Sequence, residues 1–256
     1  MRAIILAGGK GTRLRPYTAT LPKPLVPLGE RPVLEIVLRR LAASGVRRVT
    51  LAVNHMAELL EAFFGDGSKF GLDIDYSLEV QPLGTIGPLR QINDLPESFL
   101  VLNADVLTDL DVGRLWDFHQ DHGGPATVAS FQRESKIDFG VLQIDAHGRL
   151  TGFSEKPVLR HLVSMGIYVF RRSILRFVPP GRHFGFDDLM HALLEAGEPV
   201  HPWLHRGTWL DIGRPEDYEL ALNNLHTLLP PESEPVVRPR GRRGLEPARA
   251  TAAVCG

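Results

Sequence analysis

An alternation most constrains this chain: short apolar runs that read as buried strands, each followed by a segment with helical spacing. Residues 2–7 are largely apolar and stop at Gly8-Gly9. Residues 32–44 place Val33, Leu34, Val37, Leu38 and Leu41 at helical spacing, with Pro32 set to start a helix and Gly45 to end it. Residues 49–53 read as the next strand, and residues 57–64, closed by Gly65, as the next helix. Residues 74–80, 86–92 and 99–102 continue the pattern. Strands apolar on both faces need cover on both, which crossover helices supply. The alternation therefore predicts an α/β, Rossmann-like fold: an open, mostly parallel sheet with helices on both faces. The second half is less regular. Residues 126–131, 141–144, 150–154 and 163–170 read as strands of a mixed extension of that sheet, and helices are predicted near 186–196 and 215–228.

A chain of 256 residues is long enough for one large domain of this kind. The formal net charge of −1 gives no global basic field, so nucleic acid is not an expected partner. Anions, if handled, need a local site. The lone cysteine, Cys255, excludes a disulfide within the chain and fits a reducing cytoplasm. The first residues show no signal-peptide cleavage pattern. No apolar run reaches the ~18 residues of a membrane span. After Leu229 the sequence turns to Pro, Arg, Glu and Gly, which predicts a disordered tail over 230–256. No hexapeptide repeat occurs there, so no β-helix is expected.

Four stretches carry chemistry. The first, LAGGKGTRLRP (6–16), leaves the first strand through glycines at 8, 9 and 11 and continues into Thr12, Arg13 and Arg15. Backbone N–H groups reach a phosphate only where side chains are absent, and arginine is a planar donor for its oxygens. The spacing matches neither the dinucleotide fingerprint nor the P-loop, since position 14 is Leu and no Gly-Lys-Ser/Thr occurs. On glycine count alone, a phosphate grip and a tight basic turn stand level. The second, LPKPLVPLGERP (21–32), is stiffened by prolines that flank Lys23, which suits a point charge on a polyphosphate or an ordinary surface lysine. The third, FLVLNADVL (99–107), sets Asp105 where an apolar strand ends, the edge at which open α/β sheets bind ligands. The fourth, GTWLDIGRPEDY (207–218), holds Asp211 as the one acid inside an apolar run. Each aspartate suits Mg²⁺ or a structural hydrogen bond. Glu155-Lys156 at a strand end reads by itself as a surface ion pair.

In this order the stretches resemble the sugar-1-phosphate nucleotidylyltransferases. The likeness is carried by LAGGKGTRLRP, PKPLVPL, QPLGTIGPL, LNADV, Phe139-Gly140, EKP and WLDIGRPEDY, and runs from Met1 to about Leu225. It looks nearest to mannose-1-phosphate guanylyltransferases in PLGTIGPLR, FLVLNADVLTD, FHQDHGG and WLDIGRPEDY. The resemblance implies a nucleotidyltransferase-type catalytic domain over 1–229 that joins an NTP and a sugar-1-phosphate into an NDP-sugar and pyrophosphate, with Mg²⁺. It implies that Leu6, Ala7, Gly8, Gly9, Gly11 and Thr12 wrap the nucleotide, with Asn103 beside them. Arg13 would stabilise charge on the α-phosphate and departing pyrophosphate, and Lys23 would hold the α-phosphate region. Asp105 and Asp211 would share the metal. Gln81, Pro82, Leu83, Gly84 and Thr85 would line the base and ribose pocket. Gly140, Glu155, Lys156, Ser164, Gly166 and Trp209 would serve the sugar phosphate. A cytoplasmic enzyme without a membrane or nucleic-acid partner follows, with a homodimer as one expected assembly.

Two departures bear on specificity. Ser164-Met165-Gly166-Ile167-Tyr168 stands where the family often has Asn-Ala-Gly before its Tyr, which removes an amide from the sugar site and adds the bulk of Met165. The expected sugar is accordingly open among hexose, heptose and cyclitol phosphates. Gln81 stands where nearer guanylyltransferases can carry an acid, which leaves the base open: GTP is the first expectation, with dTTP, UTP, CTP and ATP as alternatives. A non-catalytic nucleotide-sugar-binding subunit is the rival from another class. A dinucleotide oxidoreductase is disfavoured by Leu14 and by the neutral Val53-Asn54 strand end.

Overall fold

A computed structural model describes residues 1–9, 11–14, 16–54 and 56–224, with residue 13 described by its backbone alone. The first half runs β1 (Arg2–Leu6), β2 (Pro27–Leu28), β3 (Arg31–Pro32), α1 (Val33–Ala43), β4 (Arg48–Val53), α2 (Ala57–Phe64), β5 (Asp73–Leu78), β6 (Ser98–Asn103) and β7 (Val106–Thr108). The second half runs α3 (Val112–His122), β8 (Ala126–Lys136), β9 (Val141–Ile144), β10 (Leu150–Ser154), β11 (Val158–Arg171), α4 (Phe186–Glu195), β12 (Val200–His205), β13 (Trp209–Asp211) and α5 (Pro215–Asn223).

Seven strands form one sheet in the order β12-β8-β11-β6-β1-β4-β5. β1 pairs parallel with β4 and β6, β4 with β5, and β12 with β8, whereas β11 runs antiparallel to both β6 and β8. The expected mostly parallel, mixed sheet is therefore the observed one, with β11 as its reversed strand. Period-two alternation divides the buried side chains between two faces. Ala3, Ile5, Leu100, Leu102, Ile167 and Val169 face α1, α2 and α3, whose Leu34, Leu38, Leu60 and Leu115 close that core. Ile4, Phe99, Val101, Tyr168 and Phe170 face the other way onto α4 through Leu189 and Leu193. β1 is apolar from Ala3 to Leu6 because both of its faces are covered there, and the buried Arg2 at its start is satisfied by Thr50.

Several elements differ from expectation for identifiable reasons. β8 and β11 extend beyond the main sheet as an arm in which 132–136 pairs with 158–162, and most of these residues are exposed, so no core periodicity marked them. β12 carries Pro202, which an edge strand tolerates because one side needs no ladder bond. α3 buries only Val112, Leu115 and His119, too narrow a stripe to read, although Asp111 caps it by accepting the Arg114 N–H at 3.0 Å. Residues 86–92 resolve into a 3₁₀ helix over Gly87–Gln91. The predicted tail over 230–256 lies outside the described residues, as does the end of the last predicted helix.

Candidate active site

Register brings the carboxyl ends of β1 and β6 together, Leu6 opposite Asn103, and the chain leaves both strands there. A cleft of about 520 Å³ opens at this edge, where parallel sheets place their ligands. Of the sequence candidates, Leu6, Ala7, Gly8, Gly9, Lys23, Pro82, Gly84, Thr85, Asn103, Asp105 and Asp211 line it.

The glycine turn is built by local chemistry. The Gly11 carbonyl accepts the Leu14 N–H at 2.9 Å and the Thr18 hydroxyl at 2.7 Å. Gly11 has φ +61°, and a Cβ there would lie 2.9 Å from both Lys23 Cβ and Thr18 Cγ2. Glycine at 11 is thus required by backbone conformation and by the close approach of Lys23. The Lys23 loop folds as a 3₁₀ turn over Lys23–Leu25, held by Val26 N–H to the Lys23 carbonyl at 3.1 Å. The Arg13 side chain lies outside what is described, so its expected role rests on sequence alone.

Lys23, Asp105 and Asp211 converge. Lys23 Nζ forms an ion pair with Asp105 Oδ2. The two aspartate segments are stitched by the Ile212 N–H to the Asp105 carbonyl at 3.0 Å, and β13 pairs antiparallel with β7 so that Asp211 meets Val106. A Cβ on Gly213 would lie 2.9 Å from Asp211 Oδ1 and 3.3 Å from Asp105 Oδ2, and would collide with Lys23 Nζ. The three charged groups therefore surround one point. Asp211 is held from behind: its N–H donates to the buried Asp217 at 3.0 Å, and Asp217 pairs with Arg133, whose guanidinium lies 4.8 Å above the Trp209 ring. Trp209 thus supports Asp211, with its Nε1–H donating to the Met165 carbonyl at 3.0 Å.

Elsewhere in the cleft the structure supplies residues that the sequence did not single out. Glu79, just past β5, is 7% exposed, and Oε2 accepts the Leu83 N–H at 3.1 Å. Burial pushes its carboxyl above the usual range, only partly offset by that N–H. A Cβ on Gly8 would sit 2.9 Å from Glu79 Oε1, so the absence of a side chain at position 8 lets this carboxylate face the cleft. His183 and Asp187 also line it. They arrive because residues 183–187 are tied to the loop at 83–87: Phe184 N–H donates to Leu83, Ile86 and Gly87 N–H to Phe184, and Phe186 N–H to Thr85 Oγ1. Glu79 follows a strand of alternating polarity, so no local pattern marked it, nor did one mark His183 or Asp187.

The remaining candidates lie elsewhere. Gln81 is exposed, and its Nε2 donates to the Gly181 carbonyl at 3.3 Å rather than lining the cleft. Thr12 is exposed at the start of its 3₁₀ turn. Gly140, Glu155 and Lys156 flank the β9–β10 hairpin and do not line the cleft; a Cβ on Gly140 would lie 3.2 Å from Glu155 Oε2. Lys156 has φ +44°, a conformation that a side chain occupies at a cost and that clusters at functional positions. Ser164 accepts the Gly166 N–H at 3.3 Å and donates to Tyr168 OH at 3.2 Å. Met165 is buried in the core, so its bulk is not presented to the cleft. Gly166, φ +74°, packs against the Asn103 amide.

The chain belongs to the nucleotidyl transferase family, whose model matches residues 2–227. It is 34% identical over 245 residues to the UTP–glucose-1-phosphate uridylyltransferase of Synechocystis, 88% of this chain and 63% of that one. It is 36% identical over 225 residues to the mannose-1-phosphate guanylyltransferase of Mycobacterium tuberculosis, 84% and 62% of the two chains. The chain thus spans about three fifths of the length of these relatives. Among solved structures it is similar to HddC from Yersinia pseudotuberculosis, with a TM-score of 0.68 at 24% identity over 88% and 99% of the two chains. It is also similar to a putative glucose-1-phosphate thymidylyltransferase from Bacillus anthracis, with a TM-score of 0.69 at 23% identity over 87% and 94%. At those identities the structural likeness establishes the fold. Among the described residues no helix is long and apolar enough to cross a membrane.

Proposed function

We propose that this protein transfers a nucleotidyl group from an NTP to a sugar-1-phosphate, releasing pyrophosphate, and that GTP is the preferred nucleotide. The observation that carries the reading is the convergence of Lys23, Asp105 and Asp211 on one point in the cleft. The attacking sugar phosphate is already anionic, so the reaction needs no general base; positioning and charge neutralisation suffice. Lys23, fixed by its proline loop, holds the α-phosphate, and the turn around Gly11 offers backbone N–H groups to the remaining phosphates. Arg13 on the same turn would meet the charge that builds as pyrophosphate leaves. Glu155 and Lys156 at the hairpin would hold the sugar hydroxyls and its phosphate.

The donor set fits a magnesium ion. Mg²⁺ takes one or two protein carboxylates and completes its octahedron with water and phosphate oxygens. Asp105 and Asp211 supply that pair, and among the described residues no group of three or more acidic, His or Cys side chains forms a closed metal cage. Bound there, the ion would neutralise phosphate charge and orient the α-phosphate toward its attacker.

Relatives named for GTP and for UTP both share over a third of their aligned residues with this chain, so UTP with a hexose phosphate is the second reading. The sugar need not be mannose: the position of the expected Asn is occupied by Ser164, whose hydroxyl is already engaged by Tyr168. A binding-only subunit would have no reason to keep Lys23 and both aspartates around one point. Cytoplasmic NTP would be the natural substrate pool. A homodimer is supported by the exposed apolar face of the β9–β10 hairpin, formed by Leu142, Ile144, Leu150 and Phe153, and light scattering tests it. Pyrophosphate release from five NTPs against a panel of sugar-1-phosphates tests the activity. Release with no pair would refute it.

A further inference from the structure

We infer that Glu79 reads the nucleobase and selects guanine; the inference rests on the nucleotidyl-transfer reading above. The cleft is electrically polar. Lys23, Asp105 and Asp211 gather around Gly213, whereas Glu79 and Asn54 gather around Gly8, and both groups line the same cleft. With Mg²⁺ on the two aspartates, the Lys23 site is the cationic one and draws the triphosphate, which leaves the Glu79 carboxylate to the nucleoside.

A buried carboxylate that faces a cleft requires donors from whatever enters. Glu79 is held for that purpose. Its Oε2 is anchored by the Leu83 N–H, which fixes the carboxylate plane, and Oε1 is directed over Gly8. Ionised, the group is acceptor-only, with lone pairs left on both oxygens. Ala7, Gly8, Pro82, Gly84 and Pro88 line the same cleft and offer backbone and proline surface on which a planar ring can rest.

Base chemistry then decides. Guanine presents two adjacent donors, N1–H and the N2 amine, to a single carboxylate. Uracil and thymine present one N–H between two carbonyl oxygens that the carboxylate repels. Adenine and cytosine set an acceptor next to their amine. Only guanine matches both oxygens, and a good bidentate pair of this kind discriminates by roughly tenfold to a hundredfold. Gln81 does not take this role, since its amide is turned to the Gly181 carbonyl.

The test is equilibrium binding of GTP, ITP, 2′-deoxy-GTP and UTP, with Mg²⁺, to the wild type and to Glu79→Gln. ITP lacks only the N2 amine. The wild type should bind GTP at least tenfold more tightly than ITP or UTP. Glu79→Gln keeps an acceptor for Leu83 but adds a donor, and should bring the GTP/ITP ratio close to one while leaving GTP/2′-deoxy-GTP unchanged. Equal wild-type affinity for GTP and ITP overturns the inference whether or not the variant folds. So does a variant that keeps the GTP/ITP ratio, or one that loses the GTP/2′-deoxy-GTP ratio instead, which would place the ribose on Glu79. Pyrophosphate release fastest with UTP would sink the guanine assignment and leave the transferase reading intact. GTP selectivity without pyrophosphate from any sugar phosphate would do the reverse.

Discussion

Replacing Gly213 by alanine should damage activity while sparing the fold, and the structure says why. The backbone at 213 does not need glycine, since its φ lies outside the left-handed region. The added Cβ collides with Lys23 Nζ and crowds Asp211 Oδ1 at 2.9 Å and Asp105 Oδ2 at 3.3 Å. Lys23 has a flexible stem, so its ammonium can retreat by about 1 Å to restore van der Waals separation at little cost. Glycine-to-alanine exchange at a compatible site also gains about 0.4–1 kcal/mol through the unfolded state, which offsets the crowding. The net change in stability should stay within about 1 kcal/mol, a shift in Tm of about 2–4 °C for a chain of this size. Positioning is less forgiving: a displacement of about 1 Å costs on the order of a hundredfold in rate. The assay is continuous pyrophosphate detection with the best NTP and sugar-phosphate pair, beside a thermal melt. A Gly213→Ala protein that melts like wild type and retains kcat/KM within twofold would refute the claim that the three groups work at that point.

Further outcomes follow from the same geometry. Asp105→Asn should abolish pyrophosphate release with the fold kept, and near-normal turnover in Mg²⁺ would reject the metal assignment. EDTA should stop turnover reversibly, with restoration by Mg²⁺; turnover unaffected by chelation would contradict it. Gly166→Ala forces a side chain into φ +74° and against Asn103, so it should cost over 1 kcal/mol in urea unfolding and raise KM. His119 is fully buried, and its pKa is pushed down to about 4, first by burial and then by Arg171 and His201. Its folded pKa lies below the unfolded ~6.5, so the unfolded chain binds more protons between the two values. Stability from this group is whole above pH 6.5 and falls by up to about 3 kcal/mol as pH drops to 4. His119→Asn should flatten that slope in urea midpoints, and an unchanged slope would exclude His119 as its source.

How much was legible follows from what each residue had to satisfy. β1, β4 and β6 announced themselves because burial on both faces keeps them apolar except where a polar pair such as Arg2 and Thr50 satisfies itself. β12 and α3 were hidden by Pro202 and by a helix with a narrow apolar stripe, both permitted at the sheet margin. Lys23, Asp105 and Asp211 were readable only as a set: each alone is an ordinary loop residue, and 188 positions separate the first from the last in sequence. Register and the β7–β13 pairing create their proximity. Glu79 escaped because its role depends on the missing side chain at Gly8, a relation between two strands that no local pattern records. Gln81, two residues on, looked the better candidate from motif position and is turned away by a hydrogen bond to a distant loop.

The measurement closest to the central claim is the rate of pyrophosphate release by the intact protein with Mg²⁺, across GTP, UTP, dTTP, CTP and ATP and a panel of sugar-1-phosphates. The account expects release that requires both substrates, with the highest kcat/KM for GTP. A folded protein that binds GTP yet releases no pyrophosphate with any sugar phosphate would contradict it.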